Sequence, residues 1–206
     1  MRGVKVSPHL VSLVSLDGLV LSSPASTWAM LGRELTVREL VMVGDAFVRI
    51  PRDARGIPQP HLQLCSIPQF LRAIEAGSRA GIALLREAVE LIRVGSSSPL
   101  ETEFRLDLHA AGLPEPDLDV EIRDRRGHLI GITELVFSAF RVVAEVEGDH
   151  HRTDRRQWDR DIDKYAAYVA LGWEVVRVTS RHVRGGNAVD RLRDVLLRRG
   201  WRPETG

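Results

Sequence analysis

The chain has 206 residues, of which 44% are hydrophobic and 28% are charged, a composition typical of a globular protein in water. A net charge of +1 does not by itself indicate a nucleic-acid-binding protein. The single cysteine, Cys65, excludes an internal disulfide and a cysteine-based zinc site, and the sequence shows no membrane-spanning run and no secretion signal. We therefore expect a cytoplasmic protein with one large domain or two small domains.

The first 95 residues predict a small, mostly helical α+β region. Short apolar stretches on either side of Asp17-Gly18 indicate two strands joined by a turn. Thr36 and Glu39 have the spacing of a capping box at a helix start. The region is predicted to contain four helices, over about 24–31, 37–47, 69–76 and 81–94, and a proline-rich loop over 50–63. The segment Gly95–Pro99 marks a boundary between domains 1–95 and 96–206.

The second half predicts an α/β domain with the order helix, three strands, helix, strand, helix. A strand, a crossover helix and a further strand imply a parallel connection, so the sheet should be mixed and flanked by helices. The last strand is apolar enough to be central. The predicted helices cover 99–111, 157–171 and 190–199, and the predicted strands cover 117–124, 128–136, 140–147 and 173–179.

Three glutamates lie on the predicted hairpin formed by the second and third strands. A tight turn centred on Ser138-Ala139 would place Glu134 opposite Val143, and residues two apart on a strand share a face. Glu145 and Glu147 would then lie on the same face as Glu134, with side chains able to converge. The other face of the third strand carries Val142, Ala144 and Val146, which suits a core.

Clustered carboxylates repel one another unless a cation neutralises them, and Mg²⁺ (or Mn²⁺) takes oxygen ligands of this kind. We expect Glu134 and Glu145 to be the metal ligands. The alternative is a solvated strand face paired with Arg123 or Arg141. Either His150 or His151, which follow the third strand, could assist as a general acid or base, and adjacent side chains on a strand point in opposite directions.

Several segments together resemble a known family. They are Arg141 to His151, Trp158 to Asp161, Leu171 to Thr179, Ser98 to Glu101 and Gly112 to Pro114. They look like an uncharacterised actinobacterial family whose C-terminal domain is similar to very-short-patch-repair endonucleases of the PD-(D/E)XK, restriction-endonuclease-like superfamily. The resemblance covers about residues 96–179. The first 95 residues resemble type IV abortive-infection antitoxins, without the winged helix with which longer relatives begin.

This resemblance implies a restriction-endonuclease-like mixed sheet and a role for each acidic residue. Glu134 stands at the first acidic position, where Asp is usual, and Glu145 at the (D/E) position. Glu147 stands where the superfamily carries Lys, and Glu101 matches an acidic residue on the first helix. The missing cation could come from Lys164, Arg160 or a histidine; otherwise the site is degenerate.

The function implied is a metal-dependent endonuclease that hydrolyses DNA, with His151 assisting and with a role in DNA repair or a toxin–antitoxin system. The DNA-contacting residues expected from their position after the third strand are Arg152, Arg155, Arg156 and Arg160, although interleaved aspartates also fit an ordinary solvated surface. A homodimer and a toxin partner are both compatible with the resemblance. The alternatives are a catalytically inactive binding protein that acts as an antitoxin or regulator, and a purely structural domain.

Overall fold

The computed structural model describes residues 5–148 and 155–203, and of 155–159 it describes the backbone alone. The chain divides into two compact units, Met1–Val94 and Gly95–Gly206. In the described part of the chain, no helix combines the length and the apolar character needed to cross a bilayer.

The first unit pairs a small hairpin with a group of helices, as the sequence predicted. Asp17 and Gly18 both take positive φ angles, 49° and 77°, which gives a hairpin turn of the primed type that Asp-Gly favours. The Thr36–Glu39 capping box is confirmed. The elements are β1 (Leu13–Leu16), β2 (Leu19–Ser22), α1 (Pro24–Leu31), α2 (Val37–Val48), α3 (Ile67–Glu75) and α4 (Ile82–Leu91).

The core of this unit forms around Trp28, which is fully buried. Its indole Nε1 donates a hydrogen bond of 2.8 Å to the Leu40 carbonyl oxygen, so the one polar atom of the ring is satisfied inside the core. Phe70 packs against the indole with ring centroids 4.4 Å apart. These contacts tie α1, α2 and α3 together.

The second unit is a mixed α/β domain, which confirms the predicted class of sheet. The order of the sheet is β3-β4-β5-β6, antiparallel except for the parallel pair β5 and β6. The predicted central place of the last strand is wrong: β6 lies at an edge of the described sheet, and helices rather than a further strand bury it. The elements are α5 (Pro99–Ala110), β3 (Asp117–Arg123), β4 (Leu129–Phe137), β5 (Val142–Glu147), α6 (Arg155–Ala170), β6 (Glu174–Thr179), α7 (Ser180–Arg184) and α8 (Asn187–Arg198).

Each face of this sheet packs against different helices. The face formed by Val142, Ala144 and Val146 is buried with residues of α5 and α8, which confirms the predicted core face. On the opposite face, Val143 packs with Tyr168 of α6. Burial on both faces explains why Val142, Val143 and Ala144 form a continuous apolar run at the start of β5.

The turn between β4 and β5 is longer than predicted, and this changes the pairing. Ser138–Phe140 forms a 3₁₀ turn and Arg141 takes the left-handed conformation, with φ 54°. Val136, not Glu134, therefore pairs with Val143, so the predicted opposition of Glu134 and Val143 is wrong by two residues. The Arg199 side chain, from beyond α8, donates hydrogen bonds to the Phe140 and Gly172 carbonyl oxygens at 2.9 and 2.5 Å and so holds the turn.

Candidate functional site

Strand β4 separates from β5 at Glu134. The ladder between the two strands runs from Phe137 to Leu135 and stops there. Past that point, the Glu134 carboxylate accepts a hydrogen bond of 2.5 Å from the Val146 backbone N–H, a donor that a continued ladder would pair with a β4 carbonyl. Glu134 thus bonds across the gap between the strands.

The regular alternation of side chains is interrupted at the same place. Leu135 packs into the core on the α8 side, whereas Thr133, two residues earlier, hydrogen-bonds Tyr168 of α6 at 2.9 Å. Residues two apart on a regular strand share a face, so β4 is irregular at Glu134. The adjacent strand β3 has a matching irregularity, because Asp119 takes a positive φ of 55°.

Glu145 is a buried carboxylate that carries an ion pair. It is only 6% exposed, and its Oε1 lies 3.0 Å from Lys164 Nζ. Burial raises the pKa of Glu145 above its ordinary value, and this effect outweighs the lowering by Lys164 and by a hydrogen bond from the Thr133 side chain. The site therefore holds an acid whose charge is costly even with a cation beside it.

Lys164 reaches Glu145 because β4 has no side chain in its way. A Cβ at Gly131 would lie 2.7 Å from Lys164 Cδ and 2.6 Å from Tyr168 Oη, so only glycine leaves room for the lysine stem. The Lys164 ammonium also lies 4.8 Å from the ring centroid of Tyr165 and 5.8 Å from that of Tyr168. Both distances are within the range of a cation–π contact.

Glu134 is the most strongly perturbed acid of the site. Burial, followed by repulsion from Glu101 and Glu145, raises the pKa of Glu134 to about 9, although the bond from Val146 N–H and the charge of Lys164 lower it. Glu101 is buried in the first turn of α5, where it accepts hydrogen bonds of 2.8 and 2.6 Å from the backbone N–H and hydroxyl of Ser97. Glu101, Glu134 and Glu145 thus form an electrostatically linked group, which we call the carboxylate group.

Glu147 has a different partner. It forms an ion pair with Arg177 of β6, whose guanidinium lies 5.0 Å from the ring centroid of Tyr165. The predicted trio of Glu134, Glu145 and Glu147 is therefore rearranged: Glu101 stands close to Glu134, and Arg177 neutralises Glu147. Sequence reasoning missed Arg177, although a parallel β5–β6 pair with Glu145 beside Arg177 would have indicated it.

The two arginines considered as partners for a solvated strand face lie elsewhere. Arg123 forms an ion pair of 2.6 Å with Glu121. Arg141 donates a hydrogen bond of 3.1 Å to the Leu171 carbonyl oxygen and lies over the Trp173 ring. The structure thus brings neither of them to the carboxylate group.

The remaining predicted residues divide into three sets. His151 and Arg152, like His150, lie outside the described residues. Arg155 and Arg156 form the start of α6, and the structure describes only their backbone. Arg160 is exposed on α6, four residues and so about one helical turn before Lys164.

Within the described ranges, no three His, Cys, Asp or Glu side chains are arranged so that they could hold a metal ion.

The chain is similar to two distant relatives. The chain is 26% identical over 173 residues to an uncharacterized protein from each of two strains of Mycobacterium tuberculosis, and the alignment covers 84% of this chain and 59% of each relative. The chain thus spans about three-fifths of the length of the curated relatives it matches. No family model and no solved structure matches the chain.

Proposed function

We propose that the second unit is a PD-(D/E)XK-like, Mg²⁺-dependent endonuclease domain that hydrolyses DNA phosphodiester bonds. The observation that carries this proposal is the meeting of the half-buried Glu134 and the buried Glu145 with Lys164 at the point where β4 separates from β5. Buried acids with raised pKa values, combined with a specific charged partner, are typical of catalytic sites.

The chemistry of the carboxylate group fits a divalent cation. Burial raises the pKa values of both Glu134 and Glu145, and repulsion from Glu101 and Glu145 raises the pKa of Glu134 further, so these acids need a proton or a positive charge to share the site. Glu134 and Glu145 would hold the ion, with the negative charge of Glu101 nearby. When bound, Mg²⁺ polarises a phosphoryl oxygen and neutralises charge that develops in the transition state.

Lys164 would supply the cation that the strand lacks at position 147. Glu147 cannot stabilise a developing negative charge, and its own charge is already neutralised by Arg177. Lys164 extends from α6 to Glu145, and it has room to do so because Gly131 carries no side chain. A positioned ammonium in a partly desolvated site stabilises transition-state charge far better than one in water.

The basic residues near the start of α6 complete the proposal. His151 would move a proton during the reaction, since a histidine titrates near neutral pH. Arg152, Arg155, Arg156 and Arg160 would contact DNA phosphates without reading sequence.

Cleavage of supercoiled plasmid and of mismatched duplex DNA with Mg²⁺ or Mn²⁺ tests this function. The wild-type chain should cut, and Glu145→Gln should remove the activity. Glu121→Gln is the matched control, because Glu121 lies on β3 of the same sheet and pairs with Arg123. Activity that persists in the Glu145 variant would refute the assignment.

A second candidate is a nuclease-like binding protein that acts without catalysis, as an antitoxin or regulator. It is favoured by the internal partners of both carboxylates: Lys164 pairs with Glu145, and the Val146 N–H bonds Glu134. Calorimetric titration separates the candidates, because the endonuclease should bind Mn²⁺ at millimolar concentration through Glu134 and Glu145. A chain that binds neither Mg²⁺ nor Mn²⁺ there would favour the binding protein.

A further inference from the structure

A small cavity lies in the first unit, between the segment that precedes β1, helix α1 and the loop that joins α3 to α4. Its volume is about 220 Å³, which exceeds the roughly 150 Å³ at which a protein cavity admits a benzene ring. The apolar part of its lining comes from five side chains: Val6, Leu10, Ala29, Met30 and Ala80. The cavity therefore has room for a ring or a short chain.

Three cations share the lining of this cavity. Lys5 precedes β1, Arg33 follows α1, and Arg79 lies on the loop between α3 and α4. Among the described residues, no acidic side chain lines the cavity with them. Arg33 pairs with Glu34 at 2.8 Å, but both side chains are more than half exposed, so the pair contributes little energy and a ligand can compete for Arg33. The excess of positive charge favours an anion.

Arg79 uses only part of its hydrogen-bonding capacity to hold its position. It donates to the Leu10 and Ala73 carbonyl oxygens at 3.2 and 2.8 Å, which fixes the guanidinium between two segments of the chain. Both bonds use Nη2, and the buried Nε has no acceptor within the described residues. Burial also lowers the pKa of Arg79 from its ordinary value, because the charged form loses contact with water. Arg79 is thus a partly buried cation with a donor left over.

Two glycines let the segments that carry these cations approach one another. A Cβ at Gly77 would lie 3.0 Å from Leu10 Cδ2, so the loop after α3 packs closely on the segment before β1. A Cβ at Gly81 would lie 1.8 Å from the Gly32 carbonyl oxygen, so the same loop is in contact with the end of α1, next to Arg33. The cavity is therefore formed by the fold itself, as ligand sites usually are.

We infer that this cavity binds a small organic anion, in which a carboxylate or phosphate group is attached to an apolar ring or short chain. Arg79 would hold the acidic group, with the exposed Lys5 and Arg33 beside it, and the apolar part would lie against Ala29 and Met30. A charged donor that is already held in place binds an anionic oxygen strongly. The site belongs to the first unit, so the inference does not depend on the endonuclease proposed for the second.

Titration of the full chain with benzoate and with phenyl phosphate tests the inference. The readout is the methyl NMR signal of Met30, in protein with isotope-labelled methionine methyl groups, because Met30 lines the cavity. Met42 lies on α2 outside the lining and is the internal control. Both ligands should shift the Met30 signal and leave that of Met42 unchanged. We expect dissociation constants on the order of 1 mM for ligands of this size.

Benzamide is the matched control ligand, because it has the shape of benzoate without the charge. It should bind at least about tenfold more weakly, since it lacks the charge-assisted hydrogen bond. Equal binding of benzamide would overturn the inference, because the cavity would then accept apolar molecules regardless of charge. Inorganic phosphate that bound as tightly as phenyl phosphate would also overturn it, because the apolar lining would then contribute nothing.

Substitutions identify the cations that act. Arg79→Lys keeps a positive charge but loses the donors of the guanidinium, so it should weaken benzoate binding about tenfold. Because Arg79 also bonds two backbone carbonyls, a second variant is needed whose fold is safe. Arg33→Gln removes an exposed charge and should weaken binding about threefold at an unchanged melting temperature.

Arg86→Gln is the matched control variant, because Arg86 is exposed on α4 and does not line the cavity. It should leave the affinity for benzoate unchanged. An equal loss of affinity in the Arg33 and Arg86 variants would overturn the inference, since general surface charge would then explain the binding. The absence of any Met30 shift with benzoate and with phenyl phosphate would overturn it as well.

Discussion

The raised pKa of Glu134 makes the stability of the second unit depend on pH in a way that one substitution can remove. In the folded chain, burial and the negative charges of Glu101 and Glu145 raise this pKa from 4.5 to about 9. Between these pH values the folded state keeps a proton that the unfolded state releases. The contribution of protonated Glu134 to the free energy of unfolding is therefore fully present below about pH 4.5. It is lost as the pH rises towards 9.

Glu134→Gln mimics the protonated acid and keeps an oxygen acceptor for the Val146 N–H. Each pH unit in the window changes the free energy of unfolding of the wild type by at most about 1.4 kcal/mol relative to the variant. When the pH is raised from about 5.5 to about 8.5, the free energy of unfolding of the variant should therefore increase by up to about 4 kcal/mol relative to that of the wild type. Urea unfolding at both pH values, followed by tryptophan fluorescence and circular dichroism, measures this difference.

Magnesium provides a second arm of the same experiment. If the carboxylate group binds the cation, millimolar Mg²⁺ should restore the alkaline stability of the wild type and leave Glu134→Gln unaffected, because ligand binding to the folded state adds to its stability. NaCl at matched ionic strength is the control. A difference between variant and wild type that stays constant across pH would refute the reasoning about Glu134.

Three further outcomes are expected. Gly131→Ala places a Cβ 2.7 Å from Lys164 Cδ, so it should destabilise the fold by about 1–3 kcal/mol in urea unfolding; an unchanged midpoint would contradict the packing described. Lys164→Met keeps the aliphatic stem and removes the positive charge beside Glu145. DNA cleavage in a plasmid assay should therefore slow about 100-fold or more. Full activity of this variant would exclude Lys164 from catalysis. Burial raises the pKa of the Cys65 thiol to about 11, so a thiol reagent near pH 8 should react about 100-fold more slowly with folded than with unfolded protein; equal rates would show that the thiol is accessible.

Local patterns were sufficient for much of the fold. The Thr36–Glu39 capping box, the Asp17-Gly18 turn and the alternating core face of β5 depend on residues close together in sequence, and all three are confirmed. The edge position of β6 was not predictable from the sequence. The apolar residues of a strand indicate that it is buried, but they do not indicate whether another strand or a helix buries it.

The candidate site required contacts between distant parts of the chain. The β4–β5 turn is held by Arg199, which lies 59 residues after Phe140, so no local pattern could show that the turn is longer than two residues. Glu101 comes close to Glu134 only because α5 packs on the sheet. Lys164 was named in the sequence beside Arg160 and a histidine, and its contact with Glu145 depends on the space at Gly131, 33 residues earlier in the chain.

The central claim is that Glu134 and Glu145 together bind a divalent cation at the point where β4 separates from β5. The most direct measurement is a crystal of the protein soaked in Mn²⁺, with anomalous scattering recorded at the manganese edge. We predict an anomalous peak between the Glu134 and Glu145 carboxylates, and none at that place in Glu145→Gln. A soaked wild-type crystal without a peak between these two side chains would contradict the account.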